Sequence, residues 1–412
     1  MLSRRRVFAV GAGLLASTSL CGIQVALARA ATERRFVLVI LRGALDGLAA
    51  VPPYAEREYR GLRGPLALPD PGAADGILAL DGRFGLHPAL QPLHAMYKAG
   101  ELSVVHAVAT PYRSRSHFDG QDLLESGADA PHGVQDGWLN RALGLLNTET
   151  AHSRVGLAVG QTIPLVLRGK VPVASWAPSD MPSVDPDFLD RLSALYAKDG
   201  VFGPALSEGL RAQALADEVL SEGQPNRGRM NGEKMYGRGA RPILALRPAA
   251  NALGRLLAAP DGPRVAVLEM LGWDTHAGQG ALTGRLAGVM KALGEGLDEL
   301  KTSLGPAWRE TAVVVVTEFG RTVAVNGTNG TDHGTGTVAF VLGGAVAGGR
   351  VLGKWPGLAQ LYENRDLMPT TDLRAVMKAL LVDHLGLPPD GVERIVFPNS
   401  AAVARLRDCV RV

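Results

Sequence analysis

Three clusters of acidic, histidine and arginine side chains adjoin apolar runs in this chain of 412 residues. In the first, Asp274 and His276 follow the run Val265–Leu271. Because they are two residues apart, both side chains point to one side of an extended backbone and can share a cation. A carboxylate with an imidazole suits Zn²⁺ or Mn²⁺ better than Mg²⁺ or Ca²⁺. The alternative is a helix start, with Asp274 or Thr275 as its N-cap.

The second cluster follows the apolar run Val313–Val316. Glu318 comes just after this run, and Arg321 lies three residues further on. Glu318 offers a carboxylate to a metal, whereas Arg321 offers a planar fork suited to phosphate, sulfate or carboxylate. The alternative is a surface salt bridge, or a glutamate at a helix start that the helix dipole favours.

The third cluster, Asp332 with His333, lies in the glycine-rich stretch NGTNGTDHGTG before the run Val338–Leu342. The glycines let the backbone come close to a ligand or metal, and histidine is a common metal ligand. A plain glycine-rich hairpin is the alternative. Such a hairpin does not need an Asp-His pair, so the pair predicts a ligand site.

Two further candidates follow the first two apolar runs of the chain. Asp46 is either a metal carboxylate at a strand end or part of an ordinary Asp-Gly turn. Ser116 lies between Arg115 and His117, near a predicted helix N-terminus. It is either a nucleophile or an anion contact assisted by the helix dipole, or an N-cap beside solvated arginines.

The apolar runs predict the strands that must position these side chains. Continuous Val, Ile and Leu runs are typical of strands buried on both faces, in a mostly parallel sheet with helices on both sides. Ligands in such open α/β sheets gather outside the carboxyl ends of the strands. We therefore expect the clusters at one edge. The predicted strands are Phe36–Leu41, Leu102–Val108, Val265–Leu271, Val313–Val316 and Val338–Leu342.

Helical patterns separate these runs. Ala281–Leu304 has apolar residues at 3.6-residue spacing, and it lies between two predicted strands as a βαβ unit with a parallel strand pair. Pro88–Ala99 and Asp372–Leu385 predict further helices. An alanine- and leucine-rich stretch, about residues 182–260, predicts an inserted helical subdomain whose glycine-rich middle forms a loop.

Residues 1–30 have the pattern of a signal peptide. Arg5 and Arg6 precede an apolar stretch that ends in a small-residue site, Ala28-Arg29-Ala30. The paired arginines indicate the twin-arginine type, so we expect a periplasmic or secreted protein with one α/β domain over residues 31–412. Glycine, serine and threonine interrupt the apolar stretch, which disfavours a membrane anchor. We expect no stable membrane span in the mature chain.

Charge and cysteine content narrow the function classes. The whole chain has 43 basic and 40 acidic residues, but removing residues 1–30 takes away four arginines and leaves 39 basic residues, a net charge of −1. No basic run with interleaved aromatic residues remains, so we expect no nucleic acid partner. Cys409 is then the only cysteine, which excludes an internal disulfide.

Several motifs, taken together and in order, resemble the bacterial family called domain of unknown function 1501. This family is composed largely of exported proteins, and it is placed in the alkaline-phosphatase-like, or sulfatase-like, superfamily. The resemblance spans nearly the whole mature chain. The motifs are LRGALDGL, RSHFDGQDLLESG, GWLNR, LGWDTH, VVVTEFGRT, GTDHGTG and PTTDLRAVMKALLVDHLGL.

The resemblance implies a site for two metals and a serine, threonine or modified cysteine nucleophile, acting on phosphate or sulfate esters. Ser116 lies where the nucleophile is expected. Superfamily members usually carry Asp-His where this chain has Glu318-Phe319, so His117 or Asp332 is expected to replace a ligand. The absence of a Cys-x-Pro-x-Arg run disfavours a formylglycine sulfatase. The positions that resemble the metal ligands are Asp46, Asp274, His276, Glu318 and His333.

Two functions from different classes follow. The first is an exported hydrolase that uses one or two divalent ions, with Ser116 attacking a small anionic ester. Arg321 or Arg115 then holds the equatorial oxygens of the ester. The second is a secreted binding or assembly protein that keeps the fold without the chemistry and binds a secreted or periplasmic partner. A fold does not dictate a function, so the sequence leaves both open.

Overall fold

A nine-stranded sheet forms the centre of the fold. The computed structural model describes residues 32–146, 156–177, 186–200 and 246–411, together with 203, 206, 207, 209, 210 and 218–220. The predicted signal peptide, residues 1–30, lies outside this part of the chain. The strands are β1 (Arg35–Arg42), β2 (Leu78–Ala79), β3 (Gly85–Leu86), β4 (Leu102–Ala109), β5 (Gly156–Val159), β6 (Ala174–Trp176), β7 (Val265–Leu271), β8 (Thr311–Thr317), β9 (Thr337–Leu342), β10 (Arg350–Leu352) and β11 (Thr371–Asp372).

Helices connect and cover these strands. The α-helices are α1 (Gly47–Ala50), α2 (Tyr59–Arg63), α3 (Gln91–Lys98), α4 (His117–Ser126), α5 (Trp138–Leu143), α6 (Pro186–Tyr196), α7 (Leu246–Ala258), α8 (Arg285–Leu304), α9 (Leu373–Ala379) and the single turn α10 (Pro389–Gly391). Short 3₁₀ turns span Gly64–Leu66, Pro88–Leu90, Leu165–Leu167 and Gly305–Glu310, and π-helical turns span Leu380–His384 and Val392–Val396. Within the described helices, none has both the length and the apolar character needed to cross a bilayer.

The order of the sheet is β10-β4-β9-β8-β1-β7-β5-β6, with β11 also paired to β4. Strand β1 pairs in parallel with β7 and β8, and β5 pairs in parallel with β6 and β7. Strand β9 pairs antiparallel with both β8 and β4, so it runs opposite to the rest of this sheet. The mostly parallel α/β sheet that the sequence predicts is therefore confirmed.

The reversed direction of β9 decides which residues meet at the site. Its first residue, Thr337, pairs with Val108 near the carboxyl end of β4, and its last residue, Leu342, pairs with Val313 near the start of β8. The amino end of β9 therefore lies beside the carboxyl ends of its neighbours. Residues that precede β9 reach the same edge as residues that follow β1, β7 and β8.

The two faces of the sheet support separate apolar cores, as alternation along β1 shows. Val37 and Val39 pack in one core with residues of α3, α7 and α8. Phe36 and Leu38 pack in the other core with residues of α5 and α9. Each fully buried aliphatic or aromatic side chain contributes roughly 1.5–3 kcal/mol relative to an exposed one. The predicted helices on both faces are confirmed.

Two helix predictions need correction at their ends. The long helix α8 begins at Arg285 rather than Ala281, because Gly280 and Gly284 have φ angles of +77° and +113°, which no α-helix contains. The βαβ unit exists, but β1 lies between β7 and β8, so those two parallel strands are not paired. The helix expected from Asp372 begins at Leu373, with the Asp372 carboxylate as its cap.

The predicted insertion, about residues 182–260, is described only in part. Helix α6 lies in it, whereas residues 221–245 lie outside the described part of the chain. Helix α7 packs against α8 in the core, where Leu253 and Leu257 are fully buried. This end of the stretch thus belongs to the helical layer of the main sheet. The rest of the insertion stays a prediction.

A buried histidine in β4 predicts loss of stability in acid. His106 Nε2 donates to the Val51 carbonyl at 3.0 Å, and its Nδ1 accepts from the Ala107 amide at 2.9 Å. Both nitrogens of the neutral ring already make hydrogen bonds. A proton added to Nδ1 would therefore have no acceptor. Burial lowers the pKa of His106 from 6.5 to about 4.

A pKa lowered by folding gives stability that is present above about pH 6.5 and lost as the pH falls towards 4. We expect His106 to contribute about 3 kcal/mol to this loss. The measurement is urea unfolding between pH 7 and pH 4 for the wild type and for His106→Gln, which keeps a donor and an acceptor but does not titrate. Parallel stability curves for the two proteins would contradict the prediction.

Candidate metal centre

One set of side chains at this edge of the sheet has the composition of a metal site. His117 begins α4, and His333 precedes β9. Asp274 and His276 follow β7. His117, Asp274 and His333 each offer one ligand atom, and these atoms all lie within 4.8 Å of one another. We call these three residues and His276 the ligand group. The structure therefore brings together four of the residues that the sequence predicts as ligands.

His276 joins the group through short distances to two members. Its Nε2 lies 2.9 Å from Nε2 of His333 and 3.1 Å from Oδ1 of Asp274. The His333 Nε2 and the Asp274 Oδ1 lie 3.4 Å apart. Ligand atoms of a tetrahedral zinc site are spaced by about 3.3 Å when the bonds are about 2.05 Å long. These three atoms already have the spacing of ligands around one ion.

Hydrogen bonds on the far side of two imidazoles determine which nitrogen faces the group. Nδ1 of His333 lies 2.9 Å from the Arg115 carbonyl, and Nδ1 of His276 lies 3.0 Å from the Asp332 carboxylate. These oxygens only accept, so each Nδ1 carries the proton and donates. In the neutral rings each Nε2 then keeps a lone pair. Two lone pairs 2.9 Å apart repel unless a proton or a metal ion lies between them, and a metal ion takes this place between metal-bound histidines.

His117 also donates from Nδ1 to an oxygen on its far side, in this case the buried carboxylate of Glu318. Its Nδ1 donates to Oε1 of Glu318 at 2.8 Å. Its Nε2 is buried without a hydrogen-bond partner among the described residues, and it lies 3.6 Å from Oδ2 of Asp274. The hydrogen bond with Glu318 raises the pKa of His117, against the effect of burial. A more basic imidazole is also a stronger metal ligand, so this orphaned Nε2 fits a cation.

Glu318 lies behind His117 rather than in the ligand group. Its Oε1 accepts from the Gly43 amide at 2.9 Å and from Gln121 Nε2 at 3.2 Å, and its Oε2 accepts from the Thr317 hydroxyl at 2.8 Å. Burial alone would raise the pKa of Glu318, but the hydrogen bonds led by His117 outweigh it and lower the pKa. In this structure the carboxylate orients His117.

Arg321 is committed to Asp274 and its neighbouring loop. Nη1 donates to Oδ1 of Asp274 at 2.7 Å, Nε donates to the Thr331 hydroxyl at 3.2 Å, and Nη2 donates to the Thr331 carbonyl. Burial would raise the pKa of Asp274, but the hydrogen bond and charge of Arg321 lower it. Asp274 therefore stays ionised. Each guanidinium nitrogen already donates to the protein rather than to a substrate oxyanion.

Asp332 orients His276 from the solvent side. Its Oδ1 accepts from His276 Nδ1 and, at 3.0 Å, from Asn326 Nδ2. The Asn326 hydrogen bond is the largest cause that lowers the pKa of Asp332, and His276 adds to it. The Asp332 side chain is 53% exposed, and Asp274 and His276 are 42% and 44% exposed. The ligand group is therefore open to solvent on this side.

Two glycines let the ligand-bearing loops approach each other. Gly43 has a φ of +118°, and a Cβ there would lie 2.6 Å from the amide nitrogen of Asp274. A Cβ on Gly330 would lie 2.3 Å from the carbonyl oxygen of His276. Any larger residue would push the loops apart. The glycine-rich stretch was expected to bring backbone close to a ligand, and in the structure it brings one loop close to another.

Asp46 is not brought into the ligand group. Its Oδ1 caps α1 by accepting from the Ala49 amide at 3.1 Å. Its Oδ2 accepts from Arg63 Nη2 at 2.5 Å and from Gln279 Nε2 at 2.7 Å. Asp46 and Arg63 are both buried. A guanidinium thus neutralises this carboxylate, which was expected to bind a metal, and the aspartate begins a helix rather than a plain turn.

Ser116 and Arg115 lie just before α4. Ser116 is the N-cap residue, yet its side chain makes no capping hydrogen bond, while its amide donates to the Tyr112 hydroxyl at 3.1 Å. Arg115 Nε donates to Asp366 at 2.8 Å, and its Nη2 pairs with Glu363 at 2.5 Å. The Ser116 hydroxyl is thus not used as a cap, whereas the Arg115 guanidinium is neutralised by two carboxylates.

A family model decides the relationship of the chain to known proteins. The model described as "Protein of unknown function (DUF1501)" matches residues 95–390, which include the whole ligand group. This chain belongs to the DUF1501 family. The family expected from the motifs is therefore confirmed. No curated protein matches the sequence.

Several solved structures are similar in fold to this DUF1501 chain. Ps i-CgsB in complex with k-i-k-neocarrahexaose is 12% identical with a TM-score of 0.36, over 76% of this chain and 66% of that chain. The C-terminal periplasmic domain of EcEptC from Escherichia coli, in complex with Zn, is 11% identical with a TM-score of 0.34, over 92% of both chains. The phosphonate monoester hydrolase of Agrobacterium radiobacter is 12% identical with a TM-score of 0.35, over 87% of this chain and 75% of that chain.

Four polar residues around the site of this DUF1501 chain escape prediction from the sequence. Gln121 bonds Glu318, Asn326 bonds Asp332, and both Arg63 and Gln279 bond Asp46. None adjoins an apolar run together with another ligand-type residue, so no local pattern singles them out. The one available signal is weak: Asn326 lies in the same glycine-rich stretch as the Asp-His pair.

Proposed function

We propose that this protein is an exported, metal-dependent hydrolase of phosphate or sulfate esters. The observation that carries the proposal is the ligand group. Three imidazole Nε2 atoms, each on a ring whose Nδ1 faces an acceptor, and the ionised Asp274 converge at one open place. The group lies at a strand edge and is open to solvent, and three of its members, His117, Asp274 and His333, each offer one ligand atom within 4.8 Å of the others. Three protein ligands with a fourth position left for water or substrate are typical of catalytic zinc sites.

The donor set favours a single ion, Zn²⁺ or Mn²⁺ over Mg²⁺ or Ca²⁺. Three imidazoles with one carboxylate suit a borderline ion, whereas Mg²⁺ and Ca²⁺ prefer oxygen ligands. Glu318 and Asp46, two further carboxylates that were expected to bind a metal, already accept hydrogen bonds on both oxygens. We therefore propose that they support the site without binding a metal.

The chemistry divides between the ion and residues of the chain. A bound divalent ion supplies Lewis-acid polarisation of an ester oxygen and neutralises charge that develops on it. Ser116 is the proposed nucleophile: its hydroxyl attacks phosphorus or sulfur as the ester oxygen departs with a proton, and water later cleaves the serine ester. Its position at the amino end of α4 favours an anionic group nearby. Arg321 is proposed to orient Asp274 rather than to hold the ester.

One observation favours the second candidate, a secreted binding or assembly protein. Both arginines that were expected to hold ester oxygens are committed to carboxylates, Arg321 to Asp274 and Arg115 to Asp366 with Glu363. A site that binds a metal but lacks a free oxyanion donor can attach a partner without cleaving an ester. The metal site supports either function, so activity must be measured.

The test of the proposed function is metal content followed by turnover. We expect the exported protein to bind one equivalent of Zn²⁺ or Mn²⁺ by elemental analysis. We also expect it to cleave an activated aryl phosphate or sulfate. Protein loaded with Zn²⁺, Mn²⁺, Mg²⁺ or Ca²⁺ is assayed against mono- and diesters of both acids. If the protein binds metal but turns over none of these esters, the hydrolase proposal is rejected in favour of the binding or assembly protein.

We also propose export through the twin-arginine pathway, which rests on Arg5 and Arg6 before an apolar stretch. Replacing both by lysine is expected to leave the precursor in the cytoplasm, because the receptor reads the arginine pair. Cell fractionation and the N-terminal residue of the exported protein measure this, with Ala31 expected as the new N-terminus. Unchanged periplasmic yield of the lysine variant would indicate the general secretory route.

A further inference from the structure

A fully buried glutamine joins the two loops that carry most of the ligand group. Gln279 Oε1 accepts from the Thr275 hydroxyl at 2.9 Å and from the Thr331 hydroxyl at 2.8 Å. Thr275 separates Asp274 from His276, and Thr331 lies two residues before His333. Gln279, Thr275 and Thr331 are each 0% exposed. One carbonyl oxygen thus holds a residue from each loop.

The orientation of this amide is determined by chemistry. Gln279 Nε2 donates to Oδ2 of Asp46 at 2.7 Å. The reverse orientation would place the amide oxygen against the carboxylate and the amide NH₂ against both hydroxyls, losing the donor that Asp46 accepts. Asp46 is itself held by Arg63 and the start of α1. Asp46 therefore fixes the position of the Gln279 amide independently of the two threonines.

The anchored amide reaches the ligands through hydroxyl groups. Thr331 donates its hydroxyl proton to Gln279, which leaves the hydroxyl oxygen to accept from Arg321 Nε at 3.2 Å. Arg321 Nη1 then donates to Asp274. Backbone contacts reinforce the junction, since the Thr331 amide donates to the Thr275 carbonyl and the Gln279 amide donates to the Asn329 carbonyl.

We propose that Gln279 is the positioning residue of the metal centre: its amide oxygen sets the spacing between the Asp274–His276 loop and the loop that carries His333. The inference rests on the proposed metal site but not on ester hydrolysis. It also gives Asp46 a role, as the anchor that orients the Gln279 amide. Residues behind metal ligands typically alter metal affinity by 10–100-fold, and we expect effects in that range.

The test compares isosteric and hydroxyl-keeping substitutions. Thr275→Val, Thr331→Val and Gln279→Met keep the shape of the side chain but remove its hydrogen bonds. Each is expected to weaken Zn²⁺ or Co²⁺ binding by about 10–100-fold and to alter the visible absorption spectrum of bound Co²⁺. Thr275→Ser and Thr331→Ser keep the hydroxyl and are expected to recover most of the affinity. Thr302→Val, on the exposed face of α8, is the matched control.

A double substitution isolates the hydrogen bond from packing. Thr275→Val in the Gln279→Met background is expected to cost no further affinity, because the acceptor of the Thr275 hydroxyl is already gone. Thermal unfolding of the metal-free variants establishes that each one folds. If Gln279→Met does not fold, the comparison of Thr→Val with Thr→Ser at positions 275 and 331 still tests whether these hydrogen bonds position the ligands.

Each outcome bears on a different claim. Wild-type binding with unchanged affinity in the valine variants would overturn the inference and leave the metal site standing. Equal losses in the valine and serine variants would show packing rather than positioning, and would also overturn it. A wild type that binds neither ion would overturn both this inference and the proposed function. If the valine variants lose metal affinity and the serine variants recover it, but no ester is cleaved, the inference is supported and only the hydrolase proposal is rejected.

Discussion

Replacing His333 or His276 with alanine is expected to weaken metal binding by at least a hundredfold. Each change removes an Nε2 atom that lies within 3.4 Å of Asp274 Oδ1, and losing a ligand costs more than the 10–100-fold of a residue behind it. At an ion concentration about 1,000 times the wild-type Kd, binding stabilises the folded protein by about 4.1 kcal/mol. A hundredfold loss removes about 2.7 kcal/mol of this.

The measurements are elemental analysis and thermal unfolding with and without added ion. His132→Ala is the matched control, because His132 is 68% exposed and its nitrogens face Asp119 and Asp122 rather than the ligand group. We choose His333 and His276 over His117 because removal of His117 would take a hydrogen bond from the buried Glu318 and disturb folding directly. Full metal stoichiometry in both variants would show that the ligand group is wrongly chosen.

Replacing Ser116 with alanine is expected to lower turnover of an activated aryl ester by roughly a thousandfold or more. The hydroxyl is the proposed attacking group, so its loss removes the covalent step. The ligand group does not include Ser116, so metal content and thermal stability are expected to stay close to wild type. Since its side chain makes no capping hydrogen bond, alanine costs α4 little.

The measurement is steady-state turnover by protein with matched metal content. Ser116→Thr keeps a hydroxyl and is expected to retain measurable turnover, and Ser175→Ala, at an exposed position of β6, is the matched control. Wild-type turnover in Ser116→Ala would mean that water attacks the ester directly. That result would remove Ser116 from the mechanism while leaving a metal-dependent hydrolase.

The type and edge of the main strands can be predicted from the sequence because burial constrains composition. A strand covered by helices on both faces is apolar at nearly every position, so runs such as Val313–Val316 predict strands directly. The ligand-type residues Asp274 and His276 follow the run Val265–Leu271 after only Gly272 and Trp273, which places them near a strand end. Four residues of the predicted metal set accordingly meet in the ligand group.

The direction of β9 depends on tertiary structure alone. An apolar run has the same composition read either way, so nothing local indicates that β9 runs against β4 and β8. If β9 ran parallel to them, Asp332 and His333 would lie at the opposite edge of the sheet, far from Asp274. Long-range pairing, such as Val108 with Thr337, sets the direction and so completes the site.

The roles of the carboxylates also depend on partners distant in sequence. Asp46 and Glu318 both follow strands and both carry ligand-type side chains, yet Asp46 faces Arg63 and Glu318 faces His117, which is 201 residues away. A carboxylate binds whichever donor or cation the fold brings to it, because its charge has no preference for a neighbour in sequence. The sequence by itself therefore determined the five main strands, the edge of the sheet to which they lead and the kinds of side chain that meet there. The tertiary structure decided which carboxylate lies in the ligand group and which ones lie behind it.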